Sequence, residues 1–495
     1  MDSYPDTIQF AGDYNLDGII LHNHQNEGLN ANNEGVDIQK LVVELNIYEG
    51  IERNAVTGSL VIVDAVNLIN NLPIQGTERL SFKLATPGAH EESHIVDCST
   101  ATGHPMHIYK LTDKRQLNEG TVTYTLHFCS REMMRNFRTK VSESFSGTYD
   151  QMVSKVLQDP DYLDSRRTLF YQKTRNQDKI VVPNFRPFGA IEMMQQKALA
   201  DDSKSAGYYF YQTTNGFHFR CWDSMCVDSR GNPRPVKQIF NYMPMNITDP
   251  ELDELTKIEH DYRSVEKYKF INNFHDVLNN QAAGTYAHRV ITHNLYNKSY
   301  KISDYHYHNY YAETKHVDGP NPAIVKTPVD FDDKSVSDYP ESRVTVMPTT
   351  QFLHNEDTGA YGIDVEQDGI TDAARISQQM QVASGTRLKL TVKGQSYLEP
   401  GDVIQFNIQK VENKTNTDGE LDPQFAGRYV IMKIRHRITN DEYVQVLVCA
   451  KDSVFKPYIG HSSESFTGDK LPREKGRSQN IAWQDMVGTD FMDGY

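Results

Sequence analysis

Cysteine is scarce and does not pair off in this sequence: Cys98, Cys129, Cys221, Cys226 and Cys449 are an odd number spread over 495 residues. That excludes a disulfide framework and points to reduced, buried thiols. Cys221 and Cys226 have no companion Cys/His pair at ligand spacing, so no structural zinc is expected. No stretch approaches the roughly 20 apolar residues of a membrane span, and no membrane insertion is expected. The acidic start Met1-Asp-Ser-Tyr-Pro5 is followed by no apolar segment, so a secretory leader is not expected either. Gly-x-Ser-x-Gly, Gly-x-x-x-x-Gly-Lys-Ser/Thr and His-Glu-x-x-His are all missing, and no cysteine has a catalytic setting. The expectation is a chain that is not an enzyme, with no catalytic residues, no cofactor and no metal.

Positive charge is also in deficit. A formal net charge of −15 argues against sequence-independent binding of nucleic acid, which needs Lys and Arg gathered on one face. The same excess suits solubility, or a surface that DNA passes without adhering. What is present is a folded composition of 38% hydrophobic and 24% charged residues, with a mean hydropathy of −0.61 that assigns a large share to loops and surface. The length allows three or four domains.

Strand periodicity dominates. Leu41–Tyr48, Gly58–Asp64, Glu78–Leu84 and Thr121–Phe128 alternate apolar and polar residues, as half-buried strands do. Ala65–Pro73 reads as a short helix or turn. After Arg131 the period lengthens. Tyr149, Met152, Val153, Val156 and Leu157 form a helical stripe with Thr148 at the N-cap position, and a second helix through Ile191, Met194, Ala198 and Leu199 follows Pro187. Asn215-Gly216 between Tyr208–Tyr211 and Phe217–Arg220 is a hairpin signal. A helix is expected near Asp276-Val-Leu278, and another through Ala373, Ile376 and Met380. The clearest block is the last: Leu388–Gly394, Val403–Ile408 behind the turn Leu398-Glu-Pro-Gly-Asp402, Gly427–Ile434 and Tyr443–Ala450 are four strands.

The resulting expectation is a mainly β chain with helical insertions (α+β), in which two tube-like β-barrel domains flank a smaller helix-bearing one. Residues 1–35 form an extended arm with one strand, 36–130 a first β-domain and 131–205 the helical domain. Residues 206–298 begin a second β-domain, 299–384 are a Tyr-, His- and Asp-rich insertion, 385–456 complete that domain, and 457–495 are a flexible tail with isolated anchors Trp483, Met486 and Phe491.

Several local patterns invite sharper readings. Asp13-x-Asn15-x-Asp17-Gly18 opens like a calcium loop, but His24 stands where the bidentate carboxylate belongs, and a hairpin turn accounts for it. Asp364-x-Glu366-x-Asp368-Gly369 fails likewise at Arg375. His22/His24 and His306/His308 sit at strand spacing for two metal ligands yet lack a third. Tyr305-His-Tyr-His-Asn-Tyr-Tyr311 suits base stacking or carbohydrate, but an inter-subunit or inter-domain contact is the favoured reading.

Five blocks in order carry a resemblance. They are Asp37-Ile38 through Leu45–Gly50, Thr57-Gly58, Asp64 and Pro73-Ile-Gln-Gly76 with Glu78; Pro183-Asn-Phe-Arg-Pro187 with Ala190-Ile191; the Asn215-Gly216 hairpin; Gly284-x-Tyr286-Ala287-x-Arg289-x-Ile291; and the final four strands with Leu398-Glu-Pro-Gly-Asp402. Together they resemble the baseplate hub of contractile-tailed bacteriophages. The resemblance implies a structural virion protein, made in the host bacterial cytoplasm, whose homotrimer presents two tube-like domains per subunit. Such a trimer adapts a hexameric tail tube above to a trimeric central spike below and forms part of the DNA channel, with baseplate wedge and tape-measure proteins as further neighbours. The alternatives are the hub of a contractile secretion-system spike, favoured less because no spike repeat follows the second β-domain, a glycan- or DNA-degrading tail enzyme using Asp304, His306 and His308, and a carbohydrate-binding adhesin.

Overall fold

The computed structural model describes residues 8–22, 35–71, 74–87, 95–100, 102–175, 177–203, 205–242, 254–272, 276–294, 298, 300–319, 321–326, 333–349, 353–355, 360–362, 375–376, 378–380, 382, 385–410 and 421–456. All of them fall within one compact unit, Met1–Pro457. The fold is mainly β, with few helices and one large, mostly antiparallel sheet of 14 strands.

The first strand set comprises β1 (Asn15–His22), β2 (Val36–Asp37), β3 (Val42–Gly50), β4 (Thr57–Asp64), β5 (Arg79–Ala85), β6 (Ile95–Asp97), β7 (Met106–Asn118) and β8 (Thr121–Cys129), with the short helix α1 (Leu68–Asn71) after β4. Alternation builds it: Leu45, Ile47, Leu60, Ile62, Leu80, Phe82, Leu84, Leu126 and Phe128 all point into one core. The strand expected in an N-terminal arm is part of this sheet, since β1 runs antiparallel along β5 and buries Ile19 and Leu21 in the same core.

A helix-bearing region follows. It holds α2 (Arg131–Arg138), β9 (Ser144–Thr148), α3 (Tyr149–Gln158), β10 (Leu169–Tyr171), β11 (Gln177–Val181), α4 (Pro187–Gln195), the hairpin β12 (Tyr208–Gln212) to β13 (Phe217–Cys221), and α5 (Trp222–Cys226). The α3 stripe read from sequence is fully buried with Phe188, Ile191 and Met194 of α4. Thr148 does occupy the N-cap of α3, but its side chain makes no cap hydrogen bond.

The second strand set contains β14 (Val236–Tyr242), helix α6 (Glu254–Arg263) and β15 (Val265–Asn272). After a long excursion it resumes with β21 (Thr386–Lys393), β22 (Val403–Ile408), β23 (Gly427–Thr439) and β24 (Tyr443–Lys451). The excursion includes α7 (Val277–Ala283), β16 (Ala287–Asn294), β17 (Tyr300–His306), α8 (Tyr307–Tyr311), β18 (Val344–Thr349), β19 (Leu353–Asn355) and β20 (Ala360–Gly362). It leaves the sheet after β15, earlier than the residue 299 read from sequence, because β16 pairs with β17 and β18 in a separate three-stranded sheet. Asp276 caps α7 by accepting from Asn279 N at 3.3 Å.

The two sets repeat one topology. In the first, the pairing order is β3-β4-β8-β7-β5; in the second it is β15-β21-β24-β23-β22, with all pairs antiparallel and the same chain order within each set. Irregularities recur too. The register slips between Val42 and Glu44 in β3 and between Val265 and Lys267 in β15. It slips again between Ile108 and Lys110 in β7 and between Ile431 and Lys433 in β23. Bulges re-aim strands and are placed by design rather than by accident. The sixth strand differs: β1 is antiparallel to β5, whereas β14 is parallel to β22.

Candidate functional site

The two sets meet at a strand pair. The second half of β23 lies antiparallel to β3, from Lys433 opposite Gly50 to Thr439 opposite Glu44. The first half of β23 pairs instead with β22, so this 13-residue strand changes neighbours midway and carries one sheet into the other. Edge-to-edge backbone pairing fixes both distance and register.

On the outward face the joint is ionic. Arg437 Nη2 lies 3.0 Å and Arg435 Nη2 3.2 Å from Glu44, and Arg435 Nε donates to Asn46 Oδ1 at 2.9 Å. Lys433 and Arg387 both reach Glu52, at 2.5 and 3.6 Å. Burial alone would raise the Glu44 carboxyl, but hydrogen bonds from Asn46 and Arg437 and the charges of Arg437 and Arg435 hold it below the usual range. These cations therefore face carboxylates.

The inner face is buried and neutral. His436 Nδ1 sits 2.6 Å from Tyr443 Oη, and Gln445 Nε2 donates to Tyr443 Oη and to Gln395 O. Burial drives the His436 imidazole down to about 3. Burial, and next the nearby Glu399 carboxylate, push Glu49 up to about 8. Their 3.9 Å approach is thus a contact of neutral groups and not an ion pair.

The helix-bearing region locks the joint from a third side. Gln212 N donates to Arg53 O, and Val56 N donates to Gln212 Oε1 at 3.0 Å. The Leu398-Glu-Pro-Gly-Asp402 turn inserts here. Gly401 has φ +92°, and a Cβ on it would meet Arg220 Nη2 at 2.3 Å and Tyr211 Oη at 2.5 Å, so only glycine fits. Asn215 of the hairpin donates to Glu399, while Arg220 Nη2 donates to Tyr211 Oη at 2.6 Å. This arrangement positions chain segments.

The residues flagged by sequence are scattered. Asp13 carboxylate oxygens accept from the backbone of Gln9 and Tyr14, Asp17 lies beside the β1 register slip, and His24 lies outside the described residues. So do Asp364, Glu366 and Asp368. His22 is half-buried in β1. His306 Nδ1 is 2.7 Å from Ser337 O, and Asp304 is held by Arg289 at 2.6 Å. Among the described residues no three His, Cys, Asp or Glu side chains gather as metal ligands. Tyr305, Tyr307 and Tyr311 are buried rather than displayed. Tyr311 stacks on His316 at 3.6 Å, and His316 Nδ1 lies 2.9 Å from Asp452, which also accepts from Trp222 Nε1 at 3.0 Å. The aromatic run thereby fastens the excursion to the end of β24 and to α5. Sequence reasoning missed this buried triad, because Asp452 lies 136 residues from His316 and 230 from Trp222 along the chain.

No protein-family model matches the chain, and no curated protein matches it. Among solved structures it is similar to the 43 kDa tail protein of prophage MuSo2 from Shewanella oneidensis, at 8% identity over 89% of this chain and 100% of that one, with a TM-score of 0.48. It is similar to a tail protein from Neisseria meningitidis MC58, at 9% identity over 90% and 98% of the two chains (TM-score 0.47). A third is an E. coli component of the type VI secretion system, described as structurally similar to T4 bacteriophage tail proteins gp27 and gp5, at 9% identity over 91% and 79% (TM-score 0.37). Two of these structures are described as tail proteins and the third as a component of a secretion system.

Proposed function

We propose that this chain is a structural, non-enzymatic subunit of a contractile tail, the trimeric baseplate hub that adapts a hexameric tail tube to a trimeric central spike and forms part of the DNA channel. The observation that carries this reading is the repeated five-strand order with its two recurring bulges, presented twice in one polypeptide and joined edge to edge at β23 and β3. Three copies then offer six near-equivalent strand sets, each a tube-like barrel, around one axis. A threefold assembly meets a sixfold partner on one side and a threefold partner on the other. The ordered motifs from Asp37 to Ala450 give independent support from sequence. In this reading the spike binds below, the tail tube above, and wedge and tape-measure proteins around and within, in the virion tail.

Mass measurement of the full chain under native conditions tests it. The expected result is a particle of three times 56.6 kDa that shows a central hole in negative stain. A chain that stays monomeric at every concentration, or a closed particle of another copy number, overturns the reading.

A further inference from the structure

The cis joint leaves two edges over. In the second strand set, β23 presents its outer half and β3 fills it. The corresponding strand of the first set is β7. Its inner edge is paired with β8 throughout, but with β5 it shares only Arg79 opposite His107 and Leu80 opposite Met106. From Tyr109 to Asn118 no described strand covers the other edge, and Asp113 to Asn118 are exposed. The strand corresponding to β3 is β15, paired with β21 on one side only. Toward β14 its described links are the bridge between Asn241 and Ser264, just ahead of it, and the ring contact of Tyr268 with Tyr242 at 4.4 Å, neither of which is a ladder along β15, and Lys267, Lys269 and Ile271 are exposed. Among the described residues one chain thus holds one filled joint, one open strand of the β23 kind and one open strand of the β3 kind.

We propose that β7 of one copy takes β15 of the next copy as its antiparallel neighbour, in the register that β23 and β3 already use within the chain. The joint rests on the ring proposed above and names its contact. The register transfers through the slip that β7 and β23 share and then along their neighbours β8 and β24, because β7 carries a further slip between Thr112 and Arg115 that β23 lacks. Lys110 and Lys433 follow the same slip, which equates His127 with Val448 and, four residues back along β8 and β24, Thr123 with Val444. Arg115, opposite Thr123, therefore corresponds to Arg437, opposite Val444. On the other strand, Asn46 lies opposite Ser59, which faces His127, and Lys269 lies opposite Lys389, which faces Val448. Since Arg437 faces Asn46, Arg115 of one copy faces Lys269 of the next.

The charges differ in one informative way. Glu44, which bridges Arg435 and Arg437 in the cis joint, corresponds to Lys267, because each is the first residue after the slip in its strand. The trans joint accordingly sets Arg115 beside Lys267 and Lys269, where like charges oppose pairing. Lysine on an exposed edge is also what keeps strands from associating indiscriminately. A head-to-tail contact can run on into an open filament, and this repulsion holds copies apart until concentration or a partner overcomes it. Association should strengthen with added salt, opposite to a joint made by ion pairs.

The test is disulfide trapping in the full chain, whose five native cysteines are buried. The double variant Arg115→Cys with Lys269→Cys is expected to give covalent oligomers on mild oxidation, ending at the closed species. Either single variant, and Gln116→Cys with Lys269→Cys, whose side chains would face opposite sides of the sheet, should not. Lys267→Glu should associate about tenfold more tightly than the parent chain by restoring the part played by Glu44. A native trimer in which the Arg115/Lys269 pair fails to cross-link overturns this joint and leaves the hub reading standing. Cross-linking into an unlimited ladder supports the joint and overturns the ring. No association and no cross-linking, with Lys267→Glu equally inert, overturns both.

Discussion

Replacing Glu49 by glutamine should make the chain more stable at alkaline pH while leaving its sheet intact. Glu49 is 2% exposed at the centre of the β23–β3 joint, and its carboxyl is pushed from 4.5 up to about 8, first by burial and then by Glu399. A buried acid raised in the folded state binds a proton that the unfolded chain has released. Its stabilising share is complete below the unfolded value and is lost as pH rises through 8. With those two values, folding loses about 3 kcal/mol between pH 5.5 and pH 8 through this one group, at about 1.4 kcal/mol per unit. Glutamine keeps the shape and a hydrogen-bonding oxygen toward Thr214 but carries no titrating proton. Urea unfolding of parent and Glu49→Gln at the two pH values, followed by amide exchange of β3 and β23, measures the difference. Parallel pH slopes for the two proteins would refute the account of a neutral, buried Glu49.

Asp452→Asn should cost about 3 kcal/mol at pH 7, since it strips the charge from a buried carboxylate that serves Trp222, His316 and Val317 N together, and urea midpoints report it. Burial opposes charging of His316, yet Asp452 holds its pKa above the ordinary value. The histidine's share is therefore present below about 6.5 and lost as pH rises through the raised value, while that of Asp452, whose pKa is lowered, is lost as pH falls through it. A proton titration of the His316 ring should fall back toward or below the ordinary value in the variant. Gly58→Ala should destabilise by about 3 kcal/mol, because a Cβ there would sit 2.1 Å from Phe128 Cζ and 2.4 Å from Asn46 O, the latter being backbone that cannot turn aside. Thermal unfolding that matches the parent would contradict that packing.

The strands that alternate cleanly were legible before any coordinates. Leu41–Tyr48, Thr121–Phe128, Leu388–Gly394, Val403–Ile408 and Tyr443–Ala450 fall within a residue or two of β3, β8, β21, β22 and β24, and the Asn215-Gly216 hairpin is β12 to β13; Gly427–Ile434 matches only the first part of β23, which runs on to Thr439 along β3. β7 was not legible, because its outer half, Leu111–Asn118, has no buried side and hence no period. Helix α2 escaped notice for a similar reason: it is polar, and its buried residues are Glu132 and Asn136. The repeat was hidden more deeply. Side chains at equivalent positions differ (Glu44 and Lys267, His127 and Val448), and what recurs is the order of pairing and the placement of bulges, which no residue spells. The joint at Glu49 and His436 was invisible because it unites residues nearly four hundred positions apart.

Between β3 and β4 the first strand set spends only residues 51–56, whereas the same crossing in the second set, from β15 to β21, accommodates residues 273–385. Both stems are already clasped by ladder bonds, Asn272 beside Arg387, so lengthening that crossing adds only about 0.6 kcal/mol of closure entropy for each doubling. The lobe is in effect a graft on a stem that closes without it. Its size and chemistry are free to drift among relatives or to be exchanged by an engineer, while the stock beneath keeps its shape.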